Sequence, residues 1–161
     1  MKHFGIIGYP LHHSFSAQLF QQKFALEHID AEYSMYPIEC IEQFPDLTER
    51  ISFSGMNVTM PYKQSVIPYL DVLDETAKAV GAVNVIQFSQ GRKIGYNTDV
   101  IGFIDAIRQL LLPSDVRALV LGTGGASKAV VFGLSRLGIE TTLISRDATK
   151  GITYQALTDD I

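Results

Sequence analysis

Short apolar runs alternate with segments of helical period along this chain, and each change of period marks an element. HFGIIGY (3–9) ends in Gly and Pro and predicts a buried strand. Residues 16–28 place Leu19, Phe20, Phe24 and Leu26 near one helical face, with Ser16 as N-cap. AEYSMYPI (31–38) alternates like a strand, IEQFPDLTERI (41–51) reads as helix broken near Pro45, and FSGMNVTM (53–60) reads as strand. Pro61 suits a helix start, because its missing N–H would have no intrahelical partner there. A short helix over 74–80 is followed by strands AVNVIQF and KIGYNT, joined through the turn SQGR. DVIGFIDAIRQLLL (99–112) is an amphipathic helix stopped by Pro113. A strand (117–122), a Gly-rich turn, a helix (126–138) and a strand (140–146) then form a β-α-β unit, which calls for a parallel sheet with a right-handed crossover. The fold class is therefore α/β, with one unit over 1–112 and a second, beginning at Pro113-Ser114, over 113–161.

Composition adds exclusions. Apolar residues are 47% and charged residues 19% of 161, ordinary for a globular protein and too apolar for disorder. A net charge of −4 with no long Lys/Arg run offers nucleic acid no basic stripe. The apolar stretches are too short to span a bilayer, and MKHFGIIGYP lacks the form of a signal peptide. Cys40 is the only cysteine, which fits a reducing cytoplasm. His12 and His13 have no second cluster at metal-ligand spacing, so no metal is expected and His13 is read as orienting Ser14.

LVLGTGGASKA (119–129) puts Gly122, Gly124 and Gly125 between a strand and a helix, where a backbone without side chains can approach a pyrophosphate met by helix N-terminal amides. The third glycine of G-x-G-x-x-G falls on Ser127. The next strand ends Ser145-Arg146, with Lys150 four residues on, where an NAD site usually carries an acid. Two cations there favour a 2′-phosphate and hence NADP; Asp147 would oppose it if it pointed inward.

Four polar clusters sit at ends of apolar runs: HHSFS (12–16), NVTMPYK (57–63), AVNV (82–85) and YNTD (96–99). Strand ends are where open α/β sheets bind ligands. Each cluster also has a plain structural reading. Ser14 and Ser16 can cap a helix, Asn84 and Asn97 can serve turns, Asp99 can be an N-cap, and Lys63 can be a solvated side chain.

Taken together, these motifs resemble shikimate dehydrogenase from Phe4 to about Lys150. GYPLHHSFS resembles that family's G-x-P-x-x-H-S-x-S, NVTMPYK its N-V-T-x-P-[YF]-K, GAVNV its G-A-x-N-T/V, GYNTD its G-x-N-T-D, and GTGGAS its G-A-G-G-A-x turn. The resemblance implies an N-terminal substrate-binding domain followed by the start of a Rossmann-like NADP-binding domain. It also implies a reversible NADPH-dependent reduction of 3-dehydroshikimate to shikimate, on the chorismate route to aromatic amino acids. By the same resemblance, Ser14 and Ser16 hold the substrate carboxylate, while Thr59, Asn84 and Asp99 hold ring hydroxyls. Lys63, paired with Asp99, is the acid/base group at the C3 oxygen. Gly122, Thr123, Gly124, Gly125 and Ala126 cradle the pyrophosphate, and Ser145, Arg146 and Lys150 meet the 2′-phosphate.

Departures from the pattern define the alternatives. Ala17-Gln18-Leu19-Phe20-Gln21 stands where the family has Pro and then His-Asn, and Ser145-Arg146-Asp147 replaces its N-R-T. Family members continue for roughly another hundred residues, so a fragment with an incomplete nicotinamide pocket is expected. A shikimate-binding module without turnover is one competing reading, and a quinate/shikimate dehydrogenase of NAD preference is another. The oligomeric state is left open, a homodimer included.

Overall fold

The computed structural model describes residues 1–157. The chain divides into two compact units: Met1–Ala79 with Val83–Asn97, and Val80–Ala82 with Thr98 onward. The expected boundary at Pro113 therefore moves upstream to Asn97/Thr98. The helix after Thr98 groups with the second unit because its apolar residues Ile104 and Phe103 pack into that unit's clusters.

The first unit holds β1 (Lys2–Gly8), α1 (Phe15–Leu26), β2 (Ala31–Pro37), α2 (Phe44–Arg50), β3 (Phe53–Val58), β4 (Val72–Leu73), the body of α3 (Glu75–Val80), β5 (Val85–Ser89) and β6 (Arg92–Tyr96). Its six-stranded sheet has the order β2-β1-β3-β5-β6-β4. β1 runs parallel to β2 and β3, β5 runs antiparallel to β3 and β6, and β4 runs parallel to β6. One face buries Ile7, Val58, Ile86, Val83, Phe44 and Val66, which form a single apolar cluster. On the other face Ile6 and Tyr33 pack with Ala17, Phe20 and Phe24 of α1. Covering both faces suits strands such as FGIIG, in which successive residues are apolar.

Several elements differ from the sequence expectation for identifiable reasons. Ser14, not Ser16, caps α1: it is extended (φ −141, ψ 117) and its Oγ accepts from Ala17 N–H at 3.2 Å. α1 turns only Ala17, Phe20 and Phe24 inward, whereas Leu19 and Leu26 are exposed. Spacings of four and seven residues set Leu19 and Leu26 on the line of Phe15, away from the inward face. The expected break near Pro45 is present: a 3-10 turn over Ile41–Gln43 gives way to α2, with Pro45 in the first turn of the new helix. No helix starts at Pro61; residues 60–66 run in turns, with Tyr62 N–H donating to the Thr59 carbonyl at 2.9 Å. That path buries both Tyr62 and Val66, and the Tyr62 hydroxyl donates to the Ile38 carbonyl at 2.6 Å. Strand β4 is too short to register as a period. Asp74 caps α3, its carboxylate accepting from Ala77 N–H at 2.8 Å.

The second unit holds α4 (Asp99–Arg108), β7 (Arg117–Leu121), α5 (Gly125–Arg136) and β8 (Glu140–Ile144). α4 ends before 112, because Pro113 disfavours helical geometry at Leu112. The Leu112 N–H is taken instead by the Asp115 carboxylate at 2.7 Å. β7 and β8 are parallel, and Ile152 lies beside the end of β8, pairing with Ile144 in a single parallel bridge. Val120, Leu134 and Ile139 are buried with Phe103 and Ile107, whereas Leu119 and Leu121 on the other side of β7 are exposed. Among the described residues no helix is long and apolar enough to cross a membrane.

Ile86 lies on β5 with no accessible surface. Replacing it with Ala is expected to cost about 2–5 kcal/mol of stability. Urea unfolding should therefore show a lower midpoint at unchanged slope.

Candidate active site

Strand directions decide where the polar clusters go. β1 and β3 are parallel, so residues after Gly8 and after Val58 leave the sheet at the same end. β5 is antiparallel to β3, which brings the segment before Val85 to that end, and β6, antiparallel to β5, returns there at Tyr96. Residues 9–16, 59–63, 84 and 97 thus issue from one end of one sheet.

Backbone hydrogen bonds fasten these exits together. Thr59 N–H donates to the Ile7 carbonyl at 2.9 Å and Val58 N–H to the Asn84 carbonyl at 2.8 Å. Asn84 N–H donates to the Tyr96 carbonyl at 3.0 Å, and Val83 N–H to the Lys63 carbonyl at 2.7 Å. Lys63 is held further by its neighbour Tyr62, whose ring is buried in the main cluster. Burial pushes the Tyr62 hydroxyl above its ordinary pKa, so it remains a proton donor to Ile38. Thr59, Lys63 and Asn84 are half-buried, and Asn97 is buried.

Gly8 is required by this close approach. A Cβ there would run into the Thr59 methyl group and come within 2.9 Å of the Met60 carbonyl oxygen. The glycine in GYP is thus a packing requirement of the site, a role the sequence reading did not assign.

Ser14 and Ser16 do different things. The Ser14 oxygen is engaged in capping α1, but its own proton remains available to a ligand. Capping and ligand binding are compatible for this residue. Ser16 lies inside the first turn of α1 and makes no cap. Asp99 opens α4, two residues beyond Asn97, and belongs to the second unit, whereas Lys63 belongs to the first.

In the second unit the Gly-rich turn and the end of β8 enclose a cavity of about 620 Å³. It is lined by Gly122, Thr123, Gly124, Ser145, Arg146 and Lys150, together with Asp147 and Tyr154. Gly125 and Ala126 start α5 behind Gly124, which is extended and leaves the first helical N–H groups directed along the helix start. Gly122 has φ +101 and donates its N–H to the Ile144 carbonyl at 2.8 Å, which locks the turn onto β8. Backbone donors, a helix N-terminus and two cations suit a dinucleotide phosphate. Tyr154, whose ring is half exposed, was missed because it lies beyond the β-α-β pattern.

Asp147 does not stand as a bare charge in this cavity. Its Oδ1 accepts from Thr149 Oγ1 at 2.7 Å and Thr149 N–H at 3.0 Å, and its Oδ2 pairs with Lys150 at 3.2 Å. These bonds, the Thr149 hydroxyl foremost, hold its carboxyl below the usual range. Ser145, buried, accepts from Asp147 N–H at 3.1 Å.

The shikimate dehydrogenase substrate binding domain family matches residues 6–86. The chain belongs to that family. A shikimate dehydrogenase (NADP(+)) of Caldanaerobacter subterraneus is 41% identical over 149 residues, 89% of this chain and 52% of the relative. Among solved structures, a shikimate dehydrogenase of Aquifex aeolicus superposes with a TM-score of 0.86 at 35% identity, over 93% of this chain and 57% of that one. A shikimate 5-dehydrogenase of Thermus thermophilus, solved in complex with NADP(H) and shikimate, gives 0.83 at 32% identity, over 94% of this chain and 59% of that one. The chain spans about half the length of the curated shikimate dehydrogenases it matches.

Two outcomes follow from the geometry. Gly8→Ala should displace Thr59 and lower the melting temperature, with the largest amide shifts at residues 59–60 in a ¹H–¹⁵N spectrum. The Asp147 turn should persist as pH falls through the ordinary carboxylate value of 3.8 and open only below it. The sign follows from a folded pKa held under the unfolded one: stabilisation is present above the unfolded pKa and lost as pH drops through the folded value. The Thr149 amide shift, titrated with acid, reads the midpoint.

Proposed function

We propose that this chain supplies the shikimate-binding unit and the opening β-α-β of an NADP(H)-dependent oxidoreductase that interconverts 3-dehydroshikimate and shikimate. The observation that supports it best is the shared sheet end, where Thr59, Lys63, Asn84 and the α1 N-terminus meet within a unit matched by the substrate-binding family. A ring bearing several hydroxyls and one carboxylate needs such a mixed set of short donors and acceptors.

In this reading Ser14 and Ser16 donate to the carboxylate, and Thr59, Asn84 and Asp99 bind ring hydroxyls. Lys63 gives a proton to the C3 oxygen as the ketone is reduced, and takes it back in the reverse direction. The family resemblance would give it Asp99 as charge partner. Bound NADPH would supply the hydride. Gly122–Ala126 would hold its pyrophosphate, and Ser145, Arg146 and Lys150 its 2′-phosphate, with Lys150 shared between that phosphate and Asp147. The match of residues 6–86 to a substrate binding domain supports one further reading, a shikimate binder without turnover.

The chain, mixed with shikimate and NADP⁺, tests this directly. Oxidation is followed by the near-ultraviolet absorbance of the reduced cofactor, and binding by thermal shift. Stabilisation by shikimate is the expected result; turnover alongside it extends the assignment to the reaction, stabilisation without turnover supports the binder, and no response to shikimate overturns the assignment. Lys63→Ala should abolish turnover while leaving shikimate affinity within a few-fold; an active variant removes Lys63 from the chemistry. Arg146→Ala should weaken NADP⁺ by about tenfold and leave NAD⁺ unchanged, the loss of one charge-assisted contact. Equal weakening of both would remove Arg146 from the 2′-phosphate.

A further inference from the structure

Tyr154 has no role in the reading above. It is 46% exposed and joins none of the apolar clusters formed by the described residues, so core packing does not account for it. The segment that carries it is nevertheless fastened to β8. Ile152 N–H donates to the Leu143 carbonyl at 2.9 Å, and the Ile152 carbonyl accepts from Ser145 N–H at 2.9 Å. Gly151 lies against the same strand, where a Cβ would run into the Leu143 carbonyl oxygen. Thr153 is extended, and its carbonyl accepts from Ala156 N–H at 3.0 Å across the single turn Tyr154–Ala156. The chain thus leaves β8 at Ile144, loops through 145–151 and returns alongside it at Ile152. That return puts Tyr154 on the wall of the cavity lined by Ser145, Arg146 and Lys150. The backbone groups also fix the side. Ile144 turns its carbonyl to Gly122 of the Gly-rich turn, while the flanking Leu143 carbonyl and Ser145 N–H turn the opposite way, to Ile152. The order along the cavity is therefore Gly-rich turn, end of β8, Tyr154.

We propose that Tyr154 is the stacking surface for the adenine of the bound dinucleotide. The inference rests on the NADP(H) reading above and extends it to the base, for which that reading names no residue. Its logic is the order of parts in the ligand. The adenosine half of a dinucleotide runs pyrophosphate, ribose, base. A pyrophosphate on the Gly-rich turn and a 2′-phosphate at Arg146 therefore leave the adenine as the part farthest from the turn. Tyr154 stands on that far side of β8. An aromatic face on a pinned backbone meets a purine at little ordering cost, and stacking asks for no hydrogen-bonding pattern from the base. A phenol suits a cavity mouth better than an aliphatic side chain does, because its ring is flat and its hydroxyl can stay in water. Adenine is common to NADP and NAD, so this contact adds affinity without choosing between them. Arg146 makes that choice.

Titration of the chain with 2′,5′-ADP, which carries the base and the 2′-phosphate but no nicotinamide, reads the contact directly. In the wild-type chain at saturation, nuclear Overhauser effects should join the adenine ring protons to those of Tyr154. That measurement needs no variant, so it stands apart from any folding defect a substitution introduces, and absence of the effects overturns the proposal. Tyr154→Ala should bind 2′,5′-ADP about tenfold more weakly, the scale of one base–aromatic stack, while Tyr154→Phe should stay within about twofold of wild type. Unchanged affinity in Tyr154→Ala overturns the proposal. So does an equal loss in Tyr154→Phe, which would trace the effect to the hydroxyl and not the ring. A wild type that does not bind 2′,5′-ADP overturns the cofactor reading and this proposal together, whereas binding without the ring-to-ring effects overturns the proposal alone.

Discussion

Four backbone hydrogen bonds at one end of the six-stranded sheet, joining Ile7 to Thr59, Val58 to Asn84, Asn84 to Tyr96 and Val83 to Lys63, set the positions of the polar side chains discussed above. Each uses at least one backbone group just outside a regular strand, at Thr59, Lys63, Val83 or Asn84, that would otherwise be unpaired in a partly buried region. Meeting that requirement forces segments from distant parts of the sequence into a common plane. The side chains then project from anchored backbone, and binding need not order mobile loops at additional entropic cost.

The same economy appears in individual residues. Ser14 uses its oxygen for α1 and keeps its proton. Gly8 is small because Thr59 passes over it. Tyr62 is buried to fix the turn that carries Lys63, and its hydroxyl is satisfied by a carbonyl from the segment after β2. Asp147, a charge of the wrong sign for a phosphate site, is occupied by Thr149 and Lys150 and serves the turn that presents Arg146. Residues with plain structural explanations are therefore not thereby excluded from a binding site. In this chain the two readings often describe the same atom.

The two units differ in how far their elements cover one another. In the first, the sheet has apolar clusters on both faces. In the second, β7 and β8 bury one side against α4 and α5 while Leu119 and Leu121 lie open. A parallel pair of strands is ordinarily found inside a larger, doubly covered sheet.

The sequence alone determined the α/β order of elements, since the change between a period of two and of 3.6 is a local property of side chains. It also determined the Gly-rich turn and its following cations, because a strand, a tight turn and a helix are consecutive and need no distant partner. Tertiary structure alone decided which face of α1 is inner, since Leu19 and Phe20 are equally apolar and only packing on Phe4 and Tyr33 chooses between them. It alone decided that residues 61–66 are turns, because burial of Tyr62 and Val66 outweighs a proline suited to start a helix. And it alone brought Tyr33 to Asn57: a tyrosine in a strand is ordinary in sequence, and the partner of its hydroxyl is supplied by a residue twenty-four positions on.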